Sequence, residues 1–370
     1  MVYLSNEIKY MSYNYIKDHR ITGKYVSYNH LNNILLDYNK WISKTGYSEN
    51  NLTIPLYQIG KGDIRILLWS QMHGNESTTT RALIDIFKIF SEQDYLFYNC
   101  ELYIIPMLNP DGANLYTREN FNHIDLNRDA INLSQKESLF LRSVFEDVKP
   151  DFCFNLHDQR TIFGVGKKPA TVSFLAPAAD ESRRLTEPRT KAMKLIAELN
   201  NYLQKLIPNQ VGRFDDSFNA NCTGDQFTLL GVPTILIESG FFPNDYQREE
   251  TRKYVALSIL KALELINNNT FEKNTVEEYF EIPENHKNFR DFCFIDDISG
   301  EKFYFQLEEQ LIGDRIIFTP KIVEGTQQNY YAHNTYFLSD IYPKKFSQRE
   351  VIIDYILEYL TKEVQKYNSY

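Results

Sequence analysis

Short apolar runs alternate with stretches of helical spacing over most of the first 265 or so residues. Residues 52–59 and 64–69 read as two strands around a Gly60-Lys61-Gly62 turn, and 102–108 as a strand buried on both faces. Residues 151–157, 171–176 and 233–238 read as further short strands. Between them the period changes to that of a helix. One helix is predicted at 31–43, and another runs to about Phe90 with Leu83, Ile84 and Phe87 on one side. A third opens at Ser134-Gln135-Lys136-Glu137, which has the spacing of a capping box, and stops at Pro150. Pro188 precedes an amphipathic helix through Met193, Ile196, Leu199 and Leu203, and a last one covers 248–266. Asn109-Pro110-Asp111-Gly112 reads as a turn. This alternation predicts an α/β fold, with a mixed, largely parallel sheet flanked by helices. The polar run 267–270 is the expected boundary, giving units 1–270 and 271–370. Beyond it, apolar runs at 292–295, 303–307, 316–319 and 336–338, with a helix at 347–364, predict a small β-rich module.

Composition narrows the function. The chain has 370 residues, 43% hydrophobic and 24% charged, the balance of a globular protein with one large domain or a large and a small one. A net charge of −9, with Lys and Arg scattered, argues against nucleic acid as the partner. The absence of an apolar run of about eighteen residues predicts no membrane span. The first residues lack the basic start and apolar segment of a signal peptide, and Cys100, Cys153, Cys222 and Cys293 form no CxxC pair. A reduced, cytoplasmic setting is the expectation.

The candidate chemistry gathers at the carboxyl ends of predicted strands, where ligands bind in open α/β sheets. His73 and Glu76 follow one strand in the turn H-G-N-E, His157 ends a second, and Glu238 ends a third. Two histidines and a carboxylate make the donor set of a catalytic zinc site with a position left open, and Glu238 is then free to act as a general base. Each residue also has a plainer reading: His73 and Glu76 as helix caps, Glu238 as a strand-end carboxylate. Arg118 and the run Asp125-Leu126-Asn127-Arg128 lie between them. Two arginines and an asparagine suit an anionic ligand, although most arginines form surface ion pairs. Asp158 is open to two roles, supporting a ligand or capping a turn.

Taken in order, H-G-N-E (73–76), N-P-D-G (109–112), Arg118, D-L-N-R (125–128), N-L-H (155–157) and P-T-I-L-I-E (233–238) resemble the zinc metallocarboxypeptidases, the relatives of carboxypeptidase A, over roughly residues 50–265. The resemblance implies one zinc ion per chain, held by His73, Glu76 and His157. It makes Glu238 the base that activates zinc-bound water and Arg118 the partner of the scissile carbonyl. Asn127 and Arg128 grip the substrate's terminal carboxylate, and Asp125 orients His73. The implied substrate is a peptide or an acyl-amino acid. One feature departs from the family: the only tyrosine between His157 and Glu238 is Tyr202, in a predicted helix, so the substrate-closing tyrosine of the relatives has no counterpart. The compact interval from His157 to Glu238 leans toward the succinylglutamate desuccinylase and aspartoacylase branch, which implies an N-acyl amino acid deacylase. The N-P-D-G element and Arg118 fit the peptidase branch better. A metal-dead member that binds peptide or glycan is the remaining alternative, against which the intact ligand set and Glu238 both speak.

Overall fold

In the computed structural model, residues 13–92, 97–323, 330–341 and 348–368 are described. The strands are β1 (Ile42–Tyr47), β2 (Thr53–Gly60), β3 (Ile64–Ser70), β4 (Cys100–Ile105), β5 (Phe152–Asp158), the two-residue pair β6 (Gly164–Val165) and β7 (Lys168–Pro169), β8 (Val172–Leu175), β9 (Val211–Arg213) and β10 (Thr234–Ser239). Eight of them form one sheet in the order β1-β2-β4-β3-β5-β10-β8-β9. The central strands β4, β3, β5 and β10 run parallel, while β1, β2 and β8 pair antiparallel to their inner neighbours.

Residue parity along the strands builds the layers. Ile66 and Leu68 of β3, with Phe152, Phe154 and Leu156 of β5, pack into one core against the helices Thr78–Glu92, Glu187–Leu203 and Glu249–Asn267. Leu67, Trp69 and Cys153 point the other way, into a second core with the helix Lys136–Val148 and Phe227. The sheet is thus covered on both faces, which is why its central strands read as unbroken apolar runs. The expected mixed, largely parallel sheet flanked by helices is present, as is a small additional sheet toward the C-terminus.

That second sheet is made of β11 (Phe289–Ile295), β12 (Lys302–Ile312), β13 (Arg315–Ile322) and β14 (Tyr331–Phe337), in the order β13-β12-β11-β14. The helix Arg349–Glu363 closes it, placing Ile352, Ile356 and Leu360 against Phe292, Phe294, Phe303 and Phe305. Phe241 and Tyr246, from the loop after β10, belong to the same apolar cluster. Conversely Phe271, Tyr279 and Ile282 pack in the first core. The Tyr246 hydroxyl donates to buried Asp291 on β11, and His333 Nε2 on β14 lies 2.8 Å from the Thr161 carbonyl oxygen. No helix among the described residues is long and apolar enough to cross a membrane.

Several local expectations need correction. The helix placed at 31–43 is Tyr28–Leu35, followed by a 3-10 turn at Leu36–Trp41 and then β1, an edge strand in which only Gly46 is fully buried. N-P-D-G is a helix start rather than a plain turn: the Asn109 side chain accepts the Gly112 N–H, with Pro110 opening the helix Pro110–Leu115. No capping box forms at Ser134. Its hydroxyl donates to Asp129, and Gln135 precedes the helix without a side-chain cap. Residue 347, the expected start of the last helix, lies outside the described residues.

Candidate active site

His73 follows β3 in the turn His73-Gly74-Asn75-Glu76, closed by a hydrogen bond from the Glu76 N–H to the His73 carbonyl at 3.1 Å. This turn lies directly against the helix that Pro110 opens. A Cβ on Gly74 would stand 1.9 Å from the Gly112 carbonyl carbon, so the two motifs meet backbone to backbone, with no room for a side chain at Gly74. His157 and Glu238 are direct register partners on β5 and β10. By parity both belong to the face of Cys153 and Trp69, but at the strands' carboxyl ends, where the apolar layer stops.

The Nδ1 atoms of the two histidines converge on one carboxylate: His73 on Glu76 Oε1 and His157 on Glu76 Oε2, each at 2.8 Å. One donor atom from each of the three buried residues lies within 4.8 Å of the others, so the group could hold a metal ion. The hydrogen-bond pattern favours a cation there. His73 Nε2 donates to Asp125 Oδ1 at 3.0 Å, which leaves the Nδ1 lone pair facing a carboxylate oxygen. Two lone pairs at that distance repel unless a proton or a metal ion stands between them. Burial disfavours the charged form of His73, yet the Glu76 charge and the Asp125 bond together raise its pKa. Glu76 is held well below the ordinary carboxylate range: the two histidines outweigh the opposing effect of burial. Burial dominates at His157 and lowers its pKa.

Around this cluster opens a cavity of about 970 Å³ lined by Arg118, Asn127, Arg128, Glu238 and Asp225, among others. Arg118 Nε donates to Asp125 Oδ2 at 2.9 Å, and its Nη1 lies 3.6 Å from Glu76. Asn127 Oδ1 accepts the Thr223 N–H at 3.0 Å, which turns the amide nitrogen away from that bond. Arg128 Nη1 bonds the Asn127 carbonyl and Cys222 Sγ. Glu238 Oε2 is buried with no hydrogen-bond partner among the described residues, and desolvation together with the nearby Glu76 charge raises its pKa well above the usual value. Asp158 takes both roles left open for it. Its N–H donates to Glu76 Oε2 and its carboxylate accepts the N–H and hydroxyl of Thr78 at the start of the helix Thr78–Glu92.

All eight residues singled out in the sequence therefore stand at one place. Tyr202 is buried in the core, as read from its helical position, and His123 is exposed in a loop. Of the neighbouring acids Asp215 and Asp216, Asp216 is taken by ion pairs to Arg183 and buried Arg189, whereas Asp215 lines the cavity. The sequence reading missed Asp225, in the short helix Thr223–Leu229, whose pKa burial raises to about 7. Its signal was weak: a T-G-D element in a stretch with no periodicity. It also missed the wall supplied by Gln306–Glu309 of β12.

The model of the zinc carboxypeptidase family matches residues 29–197, a stretch that contains every singled-out residue except Glu238. No curated protein matches the chain in sequence. Among solved structures, the chain is similar to a metallo-carboxypeptidase from Burkholderia cenocepacia at 15% identity and a TM-score of 0.50, covering 66% of this chain and 70% of that one. It is similar to a metallo-carboxypeptidase from Pseudomonas aeruginosa, solved in complex with (2-guanidinoethylmercapto)succinic acid, at 16% identity and a TM-score of 0.50, covering 69% and 70%. At such identities the likeness is one of fold. The ordered motifs, the family match over 29–197 and the shared architecture agree, and the chain resembles the zinc carboxypeptidases.

Proposed function

We propose that the chain is a zinc-dependent metallocarboxypeptidase that cleaves a peptide or amide bond next to a free carboxylate. The observation that carries this reading is the convergence of His73, Glu76 and His157 at the head of a cavity whose walls hold two arginines and an unpartnered glutamate. His73, Glu76 and His157 would hold one zinc ion, with Asp125 fixing the His73 tautomer. When bound, the ion supplies Lewis-acid chemistry: it acidifies water and polarises the scissile carbonyl. The chain's own residues do the rest. Arg128, with the Asn127 amide nitrogen, docks the terminal carboxylate through charge-assisted hydrogen bonds and so sets which amide reaches the reaction centre. Arg118, anchored through Nε on Asp125 with Nη1 3.6 Å from Glu76, stands beside the metal ligands, where its terminal nitrogens stabilise the developing oxyanion. Glu238, in the ionised form that a cation held by His73, Glu76 and His157 would favour, takes the proton from the attacking water and returns it to the leaving amine.

The test is metal content of the purified protein and of His157→Ala, followed by turnover of C-terminally free peptides and acyl-amino acids side by side. About one zinc per chain, lost in His157→Ala, is the expected result. Glu238→Gln should keep its zinc and lose nearly all turnover, and retained turnover would remove Glu238 from the mechanism. Cleavage of acyl-amino acids alone would turn the reading to a deacylase.

A further inference from the structure

The cavity is lined by more than the metal ligands, and part of its wall is a strand of the second sheet. Gln306, Leu307, Glu308 and Glu309 of β12 all line it. Side chains of successive strand residues point to opposite faces, so four in a row can border one space only along the strand's edge. That edge is free. β11 pairs with β12 from Lys302 to Phe305 and no further, while β13 covers the other side through Ile312.

Two hydrogen bonds fix which backbone groups face outward. The Leu307 N–H donates to the Asp291 carboxylate, on the β11 side, at 2.7 Å. Its register partner on β13 is Pro320, which has no N–H to offer. Two residues on, Glu309 pairs with Phe318, whose own N–H turns away from β12 to the Asn368 side chain at 3.0 Å. Leu307 and Glu309 therefore occupy non-hydrogen-bonded positions with respect to β13, and the N–H and C=O of Glu309 point to the open edge. Glu309 is an exposed residue although its side chain is only 27% exposed, held by Lys24 and Tyr116. What it exposes is backbone.

The edge is close to the reaction centre. The Lys24 carbonyl accepts the hydroxyl of Ser77, the residue after Glu76, and the Lys24 ammonium bonds Glu309. Arg128, bonded to Cys222, lines the same cavity. A substrate docked by its terminal carboxylate at Arg128, with its scissile bond at the metal ligands, has its preceding residues left to run onward through the same cavity.

We propose that the β12 edge at Leu307–Glu309 receives those preceding residues as an added strand, so that the preferred substrates are extended peptides rather than single acyl-amino acids. This rests on the hydrolase reading above for the direction of the chain. Strand addition binds main chain and tolerates side-chain variety, and its mark is a period of two along the ligand.

The experiment is binding of C-terminally free hexapeptides to the zinc-loaded Glu238→Gln protein, with each upstream amide N-methylated in turn. Alternate amides should lose about tenfold in affinity while the intervening ones hold, and the parent hexapeptide should bind more tightly than the matching dipeptide. Glu309→Pro, which removes the edge N–H, should lower the hexapeptide-to-dipeptide affinity ratio by a similar factor, whereas Glu309→Gln should hold it. Equal binding of both lengths, uniform tolerance of methylation, or an equal loss in Glu309→Gln would overturn the proposal. The methylation scan decides even where Glu309→Pro does not fold. Absence of turnover in the wild-type protein would count against the hydrolase reading and leave the binding pattern to be judged separately.

Discussion

Replacing Asp125 by Asn changes one atom and tests how the metal ligands are oriented. Asp125 Oδ1 accepts from His73 Nε2 at 3.0 Å and from the Asn127 N–H at 2.9 Å, while Oδ2 accepts from Arg118 Nε at 2.9 Å. The arrangement needs an acceptor on both sides, and burial is more than offset by His73 and Arg118, which hold the acid well below the ordinary carboxylate range. An amide offers one acceptor. With its oxygen toward His73 and Asn127, its NH₂ meets the Arg118 donor head on. With the amide reversed, Arg118 is satisfied, but the NH₂ faces His73 Nε2 and drives the imidazole proton to Nδ1, the atom that faces Glu76. Either orientation loses one charge-assisted bond, about 1.5–3 kcal/mol in a buried setting. The Asp125 side chain is 21% exposed, so the lower half of that range applies. A loss of 1.4 kcal/mol is tenfold, which predicts zinc affinity weakened about ten- to thirtyfold. The assay is competition for zinc against a chromophoric chelator near pH 7.5, with thermal unfolding of the metal-free protein as the control. Zinc affinity within threefold of wild type, in a variant that folds normally, would refute the claim that Asp125 sets the His73 tautomer.

Two further outcomes follow from the packing. Gly74→Ala should destabilise the protein by about 2–4 kcal/mol and deplete its zinc, because the new Cβ would meet the Gly112 main chain at 1.9 Å, where only a backbone shift can relieve it; unfolding and metal content measured together check this, and a variant with unchanged values would show that the two motifs do not need their close approach. Asp225 carries a folded-state pKa of about 7 against an ordinary value near 4, mainly from burial, so its favourable contribution is complete below about pH 4 and is lost as pH rises toward 7. Asp225→Asn should therefore flatten the pH dependence of unfolding free energy between pH 5 and 8, by about 2–3 kcal/mol relative to wild type, and parallel profiles would contradict it.

The parts legible in the sequence are those where local pattern and tertiary place coincide. β3, β5 and β10 are buried on both faces, so their apolar runs stand out, and a polar residue at such a strand's end is conspicuous because the layer beside it is hydrophobic. His157 and Glu238 were visible for that reason. β1 was not: it is an edge strand with one buried residue in six, and nothing in its alternation separates it from the helix before it. The N-P-D-G helix start was hidden because Asn and Pro favour turns and helix N-termini alike. Ser134 had the right spacing for a capping box but found a stronger partner in Asp129, a contact that residue spacing does not report. Asp225 and the β12 wall depend on segments far apart in the chain, and no local period encodes which distant strand borders a cavity.

The geometry of the second sheet gives a reason to treat it as part of the site. Buried polar contacts tie it to the rest of the chain: Asp291 accepts from Tyr246, the Gln306 amide donates to the Thr161 hydroxyl, and His333 meets the Thr161 carbonyl. Buried polar groups hold orientation more strictly than apolar contact does, since a shift leaves them unpaired in a medium that cannot compensate. Asp291 is the informative one. Its carboxylate binds the N–H of Leu307, where that edge begins, and its partner Tyr246 lies in the loop that follows β10, the strand that ends at Glu238 and Ser239. A single buried acid thus links the β12 edge to the loop that follows the strand carrying the proposed base. An interaction module standing apart from the chemistry would need no such tie.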